Sequence, residues 1–202
     1  PKVQEERFNT RGTLIQGLSQ ANISSPGAKS VDRYREQAYD VILGSAKKAF
    51  DSDAESQKTK DRYGDSDIGK NLLLARRLVE YGTRFVTINY GGWDMHSNIK
   101  KALESRVPPA DLAISAFIED IYQRGLNEKV LLVVTGEFGR TKLNANGGRD
   151  HWPSISPLLL SGGNYQAGRT IGKADKSYSP TENPVTPIDL AALMFDHYGI
   201  DK

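Results

Sequence analysis

Apolar positions recur along this chain with two periods, and the changes between them mark its elements. In the polar first thirty residues Leu14, Ile15 and Leu18 are spaced for a helix, which Gly12 and Gly17 weaken. Ser24-Ser25-Pro26-Gly27 signals a loop. Tyr34, Ala38, Val41, Ile42 and Ala46 then predict a helix over residues 31–50. The stretch from Asp51 to Asp67 is polar and turn-rich. Leu72, Leu73, Ala75, Leu78 and Val79 predict an amphipathic helix from Ile68 to Tyr81, with Gly82 suited to its C′ position. Arg84-Phe85-Val86-Thr87-Ile88-Asn89-Tyr90 reads as a strand.

Pro108 and Pro109 are placed to open the next helix, which carries Leu112, Ile114, Phe117, Ile118 and Ile121 to about Gln123 and stops at Gly125. Val130 to Thr135 is nearly all apolar, as a strand buried on both faces would be. Ser156 to Leu160 is a third strand candidate, followed by Gly162-Gly163. Thr186-Pro187-Ile188-Asp189 caps a last helix through Tyr198, stopped by Gly199. Phe195 and Tyr198 on it read as core and rim.

Alternating helices and strands imply an α/β fold with a mostly parallel sheet flanked by helices. The organisation expected is a helical N-terminal segment (1–50), a polar linker (51–67) and an α/β domain portion (68–202).

Composition narrows the function classes. With 202 residues there is enough chain for one domain with a real core. The net charge of +2, with scattered basic residues, gives no nucleic-acid footprint. No apolar run has membrane length and no signal peptide is visible. There is no cysteine, so disulfides and thiolate metal sites are excluded, and any metal must be held by oxygen and imidazole. The chain opens on Pro1, which leads us to expect a fragment or processed product whose upstream part holds some of any site.

The chemistry-bearing residues gather in two stretches, each beginning where an apolar run stops. Gly91-Gly92-Trp93-Asp94-Met95-His96-Ser97-Asn98 follows the first strand. Gly136-Glu137-Phe138-Gly139-Arg140 follows the second and leads through Asn144-Ala145-Asn146-Gly147-Gly148 to Arg149-Asp150-His151-Trp152. Asp94 and His96 could aim a carboxylate and an imidazole at one cation, with Trp93 walling the site. The plainer alternative is a turn-capping Asp94 and an exposed His96. Glu137 follows an apolar strand and needs a partner or a metal. Arg140 is either that partner or an oxyanion clamp, for which its planar fork is suited. Asp150-His151 can supply two ligands, or one ligand with an orienting neighbour. A parallel sheet would bring all these strand ends to one edge. His197 reads as a helix-end histidine. No phosphate-binding loop, dinucleotide fingerprint or Gly-x-Ser-x-Gly elbow is present.

With these motifs in hand, the chain resembles the bacterial sulfatase-like family catalogued as domain of unknown function 1501, within the alkaline phosphatase-like superfamily. The residues carrying the likeness are Asp61-Arg62-Tyr63-Gly64, Leu74 to Glu80, the two stretches above and Pro184 to Pro187, over roughly residues 30–202. The resemblance implies a partial alkaline phosphatase-like domain, a divalent metal (Zn, Ca, Mg or Mn), a small-molecule phosphate or sulfate ester as substrate, and an exported location. It implies Asp94, His96, Glu137 and His151 as metal ligands, Arg140 and Arg149 as oxyanion-binding groups, and Asp150 and Trp93 as supporting residues. Phe138 stands where the superfamily places a histidine ligand, so one imidazole is lost. Lys142 follows Thr141 where the family often has proline. The nucleophile is expected upstream of this chain. The rival expectation is a catalytically inactive binding or surface-assembly module on the same scaffold.

Overall fold

The computed structural model describes Thr10, Thr13 and residues 46–200, and the chain divides into a unit of residues 1–51 and a unit of residues 52–202. In the first unit Thr10 and Thr13 are helical, and a helical turn spans Ala46–Ala49, the end of the helix expected over 31–50. The other expectations for residues 14–45 lie outside the described residues.

The second unit begins with a 3-10 turn (Ser52–Ala54) and helix α1 (Gln57–Tyr63), so the polar stretch 51–67 is not a bare linker. Its polarity hides one anchor, the buried Tyr63. Helix α2 (Asp67–Glu80) lies where its periodicity placed it. Ser66 caps its start by accepting from the Gly69 N–H at 3.2 Å. At its end Gly82 takes positive φ and the Thr83 N–H reaches back to the Leu78 carbonyl at 2.9 Å. Helix α3 (Ile99–Gln123) starts nine residues before the expected Pro108. The two prolines therefore sit inside it, on a face where Glu104 and Ser105, whose carbonyls lose their N–H partners, are exposed.

Helices α1 to α3 share one core of Tyr63, Ile68, Leu72, Leu73, Ala113, Ala116, Phe117 and Ile121. Val86, Ile88 and Tyr90 pack on it from one side of segment 84–90, together with Val130 and Leu132. Segment 84–90 has the alternation of a strand, with Phe85 61% exposed on the opposite side. Yet it forms no ladder. From Phe85 to Asn89 no backbone group is hydrogen-bonded among the described residues. The expected strand is thus an extended segment without a strand partner among the described residues.

The sheet differs from expectation. Strand β1 (Leu131–Thr135) pairs with β4 (Leu158–Gly162) antiparallel, Leu131 opposite Gly162 and Thr135 opposite Leu158. Two further small antiparallel pairs join β2 (Gly139–Arg140) to β3 (His151–Trp152) and β5 (Lys173–Ala174) to β6 (Pro180–Glu182). No parallel pairing occurs among the described residues. The cause is the connection: β1 returns to β4 through a hairpin-bearing loop with no crossover helix, which a parallel neighbour would need. The α/β content stands, but β1 is only half-buried rather than covered on both faces. Helix α4 (Pro187–His197) has the expected Thr186/Asp189 capping box but buries none of its residues, and Phe195 is 48% exposed rather than core. No described helix is long and apolar enough to cross a membrane.

An ionic network ties the helices together. Arg76 of α2 is fully buried among Glu55, Glu80 and Asp120, with its Nη2 2.8 Å from Glu55 and its Nε 3.0 Å from Asp120. Arg77 also meets Glu55, Arg124 reaches Asp120 at 2.8 Å, and the Tyr63 hydroxyl donates to Asp120 at 3.0 Å. Burial pushes the Glu55 and Asp120 carboxyls up. The guanidiniums, with Tyr63 at Asp120, outweigh it and hold both below their ordinary values of 4.5 and 3.8.

Two outcomes follow from this packing. Arg76→Met leaves buried carboxylates short of a partner and should cost about 3–5 kcal/mol in urea denaturation; a loss below about 1 kcal/mol would contradict the network's role. Because the folded pKa values are depressed, its contribution is present above the ordinary carboxylate range and fades as pH falls through the folded values. In hydrogen exchange, the amides of residues 85–89 should exchange far faster than those of β1. Equal protection would mean that the segment has a ladder partner.

Candidate functional site

The first chemistry-bearing loop is latched to α3 at its start by two bonds to Arg106. The Tyr90 hydroxyl donates to the Arg106 carbonyl at 3.2 Å, and Arg106 Nη1 donates to the Gly91 carbonyl at 2.9 Å. The Trp93 indole N–H donates to the Tyr90 carbonyl at 2.6 Å, with its ring edge-on to Tyr90. Met95 is buried between two exposed neighbours. That burial anchors the turn and leaves Asp94 and His96 outside.

The second loop presents its residues through the β2–β3 hairpin, where Arg140 lies opposite His151. The connecting loop grips the first. The Arg149 N–H donates to the Met95 carbonyl at 2.9 Å, Asn98 N–H to Asn146 at 3.2 Å, and Ile99 N–H to Gly147 at 2.9 Å. Gly148 makes the grip possible, since a Cβ there would fall 2.0 Å from the His96 carbonyl carbon. Asn144 Nδ2 also reaches the His96 carbonyl at 3.1 Å.

The result is a cluster centred on Asp94 Oδ1. His151 Nε2 lies 2.8 Å from that oxygen, His96 Nε2 3.0 Å and Arg140 Nη1 2.7 Å. His96 turns its other nitrogen to Asp150 Oδ1 at 2.8 Å. Ligand atoms of Asp94, His96 and His151 all lie within 4.8 Å of one another, and the three residues are exposed. Hydrogen bonds from His151 and then Arg140 hold the Asp94 carboxyl down, to about 2. The bond to Asp150 pushes His96 up, and the same bond, with Asn144, holds Asp150 down.

The expected residues are thus only partly brought together. Asp94, His96, His151 and Asp150 converge from stretches more than fifty residues apart. Glu137 does not join them. It is exposed in the turn after β1, and the side chain that reaches the cluster is that of Phe138, 4.4 Å from the His151 ring. Arg140 pairs with Asp94 rather than with Glu137, and its guanidinium lies 5.4 Å from the Phe138 ring centre. Arg149 contributes backbone bonds, and its guanidinium makes no ion pair among the described residues. Trp93 sits against Tyr90, outside the ring of ligand atoms. His197 stacks near Tyr198 on α4, apart from the cluster. Arg106 and Asn144 were not singled out by the sequence; the Asn-Ala-Asn-Gly-Gly run was its only hint of the second.

The geometry therefore defines an α/β domain with an exposed Asp–His–His cluster where two loops cross. The chain belongs to the family described as Protein of unknown function (DUF1501), matched over residues 1–202. No curated protein and no solved structure matches it.

A titration checks the cluster. In the metal-free chain the His96 ring should titrate above the ordinary 6.5. The stabilisation from its ionised form is then full below that value and is lost as pH rises through the raised one. Proton NMR of the His96 ring should show the midpoint falling back in Asp150→Asn. An unshifted wild-type midpoint would contradict the pairing.

Proposed function

We propose that this chain carries a divalent-cation site formed by Asp94 Oδ1, His96 Nε2 and His151 Nε2, serving hydrolysis of phosphate or sulfate esters in the manner of the sulfatase-like proteins it resembles. The observation that carries this reading is the convergence of those ligand atoms within 4.8 Å. The donor set fits: one carboxylate oxygen and two imidazole nitrogens suit Zn or Mn better than Ca or Mg, and the exposed face leaves room for a fourth ligand. Asp150 takes the Nδ1–H of His96, which aims the Nε2 lone pair at the site.

Asp94 Oδ1 is shared among three partners. Arg140 pairs with that oxygen at 2.7 Å; with a cation held by Asp94, His96 and His151, its guanidinium would be released to serve as the fork that holds an ester's oxyanion. When bound, the cation supplies Lewis-acid polarisation of the ester and a lowered pKa for a hydroxyl or water. Phe138, against the His151 ring, supplies no second imidazole. The residues present therefore support one cation position.

A second reading keeps the site but not the catalysis, making the chain a binding or assembly module. Phe138 beside His151, and an exposed Glu137 outside the Asp–His–His group, favour it.

Calorimetric titration with zinc and manganese, together with hydrolysis of nitrophenyl phosphate and nitrophenyl sulfate, separates the readings. One cation per chain is expected, with affinity falling by at least about 100-fold in Asp94→Ala and His151→Ala and unchanged in Glu137→Gln. Ester turnover that Asp94→Ala abolishes supports the first reading, and binding without turnover supports the second. Equal cation affinity in wild type and Asp94→Ala would overturn the site itself.

A further inference from the structure

We propose that Asn144 is the positioning residue of this cluster: it fixes the tautomer and aim of His96 by holding the carboxylate of Asp150 in place. The inference goes beyond the cation site and does not require it.

Asn144 lies in the β2–β3 loop, and its side-chain amide is fully engaged. Its Oδ1 accepts from two backbone donors, the N–H groups of Asn146 and Gly148, each at 3.0 Å. Its Nδ2 donates to the His96 carbonyl at 3.1 Å and to both Asp150 oxygens at 3.3 Å. Its own N–H donates to the Gly148 carbonyl at 2.9 Å, closing the loop on itself. The partners fix which way the amide points. One end faces two donors, and the other faces a carbonyl and a carboxylate, so the flipped amide would set oxygen against oxygen.

No other side chain meets both demands at this size. Aspartate would present a carboxylate to the His96 carbonyl and to Asp150. Serine could accept from the loop but would lose the amide that spans two acceptors. Glutamine is one carbon too long for a loop whose backbone bonds are already made.

The consequence reaches His96 through Asp150. Both ring nitrogens of His96 face a carboxylate, but Asp94 Oδ1, 3.0 Å from Nε2, already pairs with His151 and Arg140, whereas Asp150 is 2.8 Å from Nδ1 with no cationic partner besides His96, so the single proton of the neutral ring goes to Nδ1. Without Asn144, Asp150 keeps its two backbone bonds to Thr141, but among the described residues nothing besides His96 itself then bonds its carboxylate. A ring free to turn adopts the Nε2–H form that unconstrained histidine side chains favour. A cation at Nε2 must then displace that proton to Nδ1, which weakens its binding.

The test uses the whole chain, labelled with nitrogen-15 histidine and free of metal, at a pH where His96 is neutral. Long-range proton–nitrogen correlation spectra report which ring nitrogen carries the proton. Wild type should show His96 as Nδ1–H. Asn144→Asp and Asn144→Ser should move it toward Nε2–H, and Asn146→Ala, in the same loop, should leave it unchanged. Zinc affinity should fall by roughly 10–100-fold in the two Asn144 variants. Retained slow exchange of the Arg149 and Ile99 amides shows that the loops still grip each other. His96 as Nε2–H in wild type would overturn the proposal. So would an unchanged Nδ1–H form in Asn144→Ser. Should wild type bind no zinc, the cation reading fails while the tautomer result still decides the role of Asn144.

Discussion

A guanidinium taken out of water governs the helical half of this unit. Arg76 is wholly buried, and an unpaired charge there would carry a desolvation cost of several kcal/mol. Its carboxylates come from three places: Glu55 before α1, Glu80 on α2 itself and Asp120 on α3. The pair with Asp120 fixes how α2 lies against α3, and that with Glu55 ties in the segment before α1. Tyr63 adds α1 to the same arrangement through Asp120. The apolar contacts around it are less selective, since leucines and alanines on these faces could slide past one another at little cost. The buried guanidinium must keep the carboxylates of Glu55 and Asp120 within ion-pair distance, and that restricts the register.

The site depends on that register through α3. The helix ends beside Arg76, where Asp120 and Arg124 lie. It begins at Ile99, whose N–H is held by the Gly147 carbonyl of the second loop. Arg106, two turns in, latches the Gly91 carbonyl of the first. One helix, roughly 30 Å from Ile99 to Asp120, therefore joins the buried ionic cluster to the exposed one. The two clusters use charge differently. Around Arg76 burial makes each ion pair obligatory. Around Asp94 solvent screens every pair, so the loop-to-loop backbone bonds carry the geometry and the ion pairs refine it.

What the sequence revealed follows how local each feature is. Helix α2 and the α4 capping box were readable because periodicity, Ser66, Gly82 and Thr186 act within a few residues. The start of α3 was not readable, because Pro108 and Pro109 imitate a helix opening and the true start is set by the distant Gly147. The strand character of 84–90 was visible in its alternation, but alternation says nothing about pairing. The antiparallel partnership of β1 with β4 depends on a connection whose path no local rule gives. In the site, Asp94, His96, Asp150 and His151 announced themselves as acids and imidazoles at the ends of apolar runs. Glu137 announced itself equally well and stays exposed outside the cluster, where the neighbouring Phe138 packs against His151 instead. Asn144 and Arg106 were silent, since Arg106 acts on a backbone carbonyl, and Asn144 on backbone groups and the Asp150 carboxylate, which only the fold brings beside them.

The central claim is that Asp94, His96 and His151 form one cation position. Anomalous diffraction at the zinc absorption edge, from crystals of the chain grown with zinc, tests it most directly. The account predicts a peak at about 2.0–2.2 Å from Asp94 Oδ1, His96 Nε2 and His151 Nε2 together. A peak on other residues, or none while the Asp94–Arg140 pair persists, would contradict it.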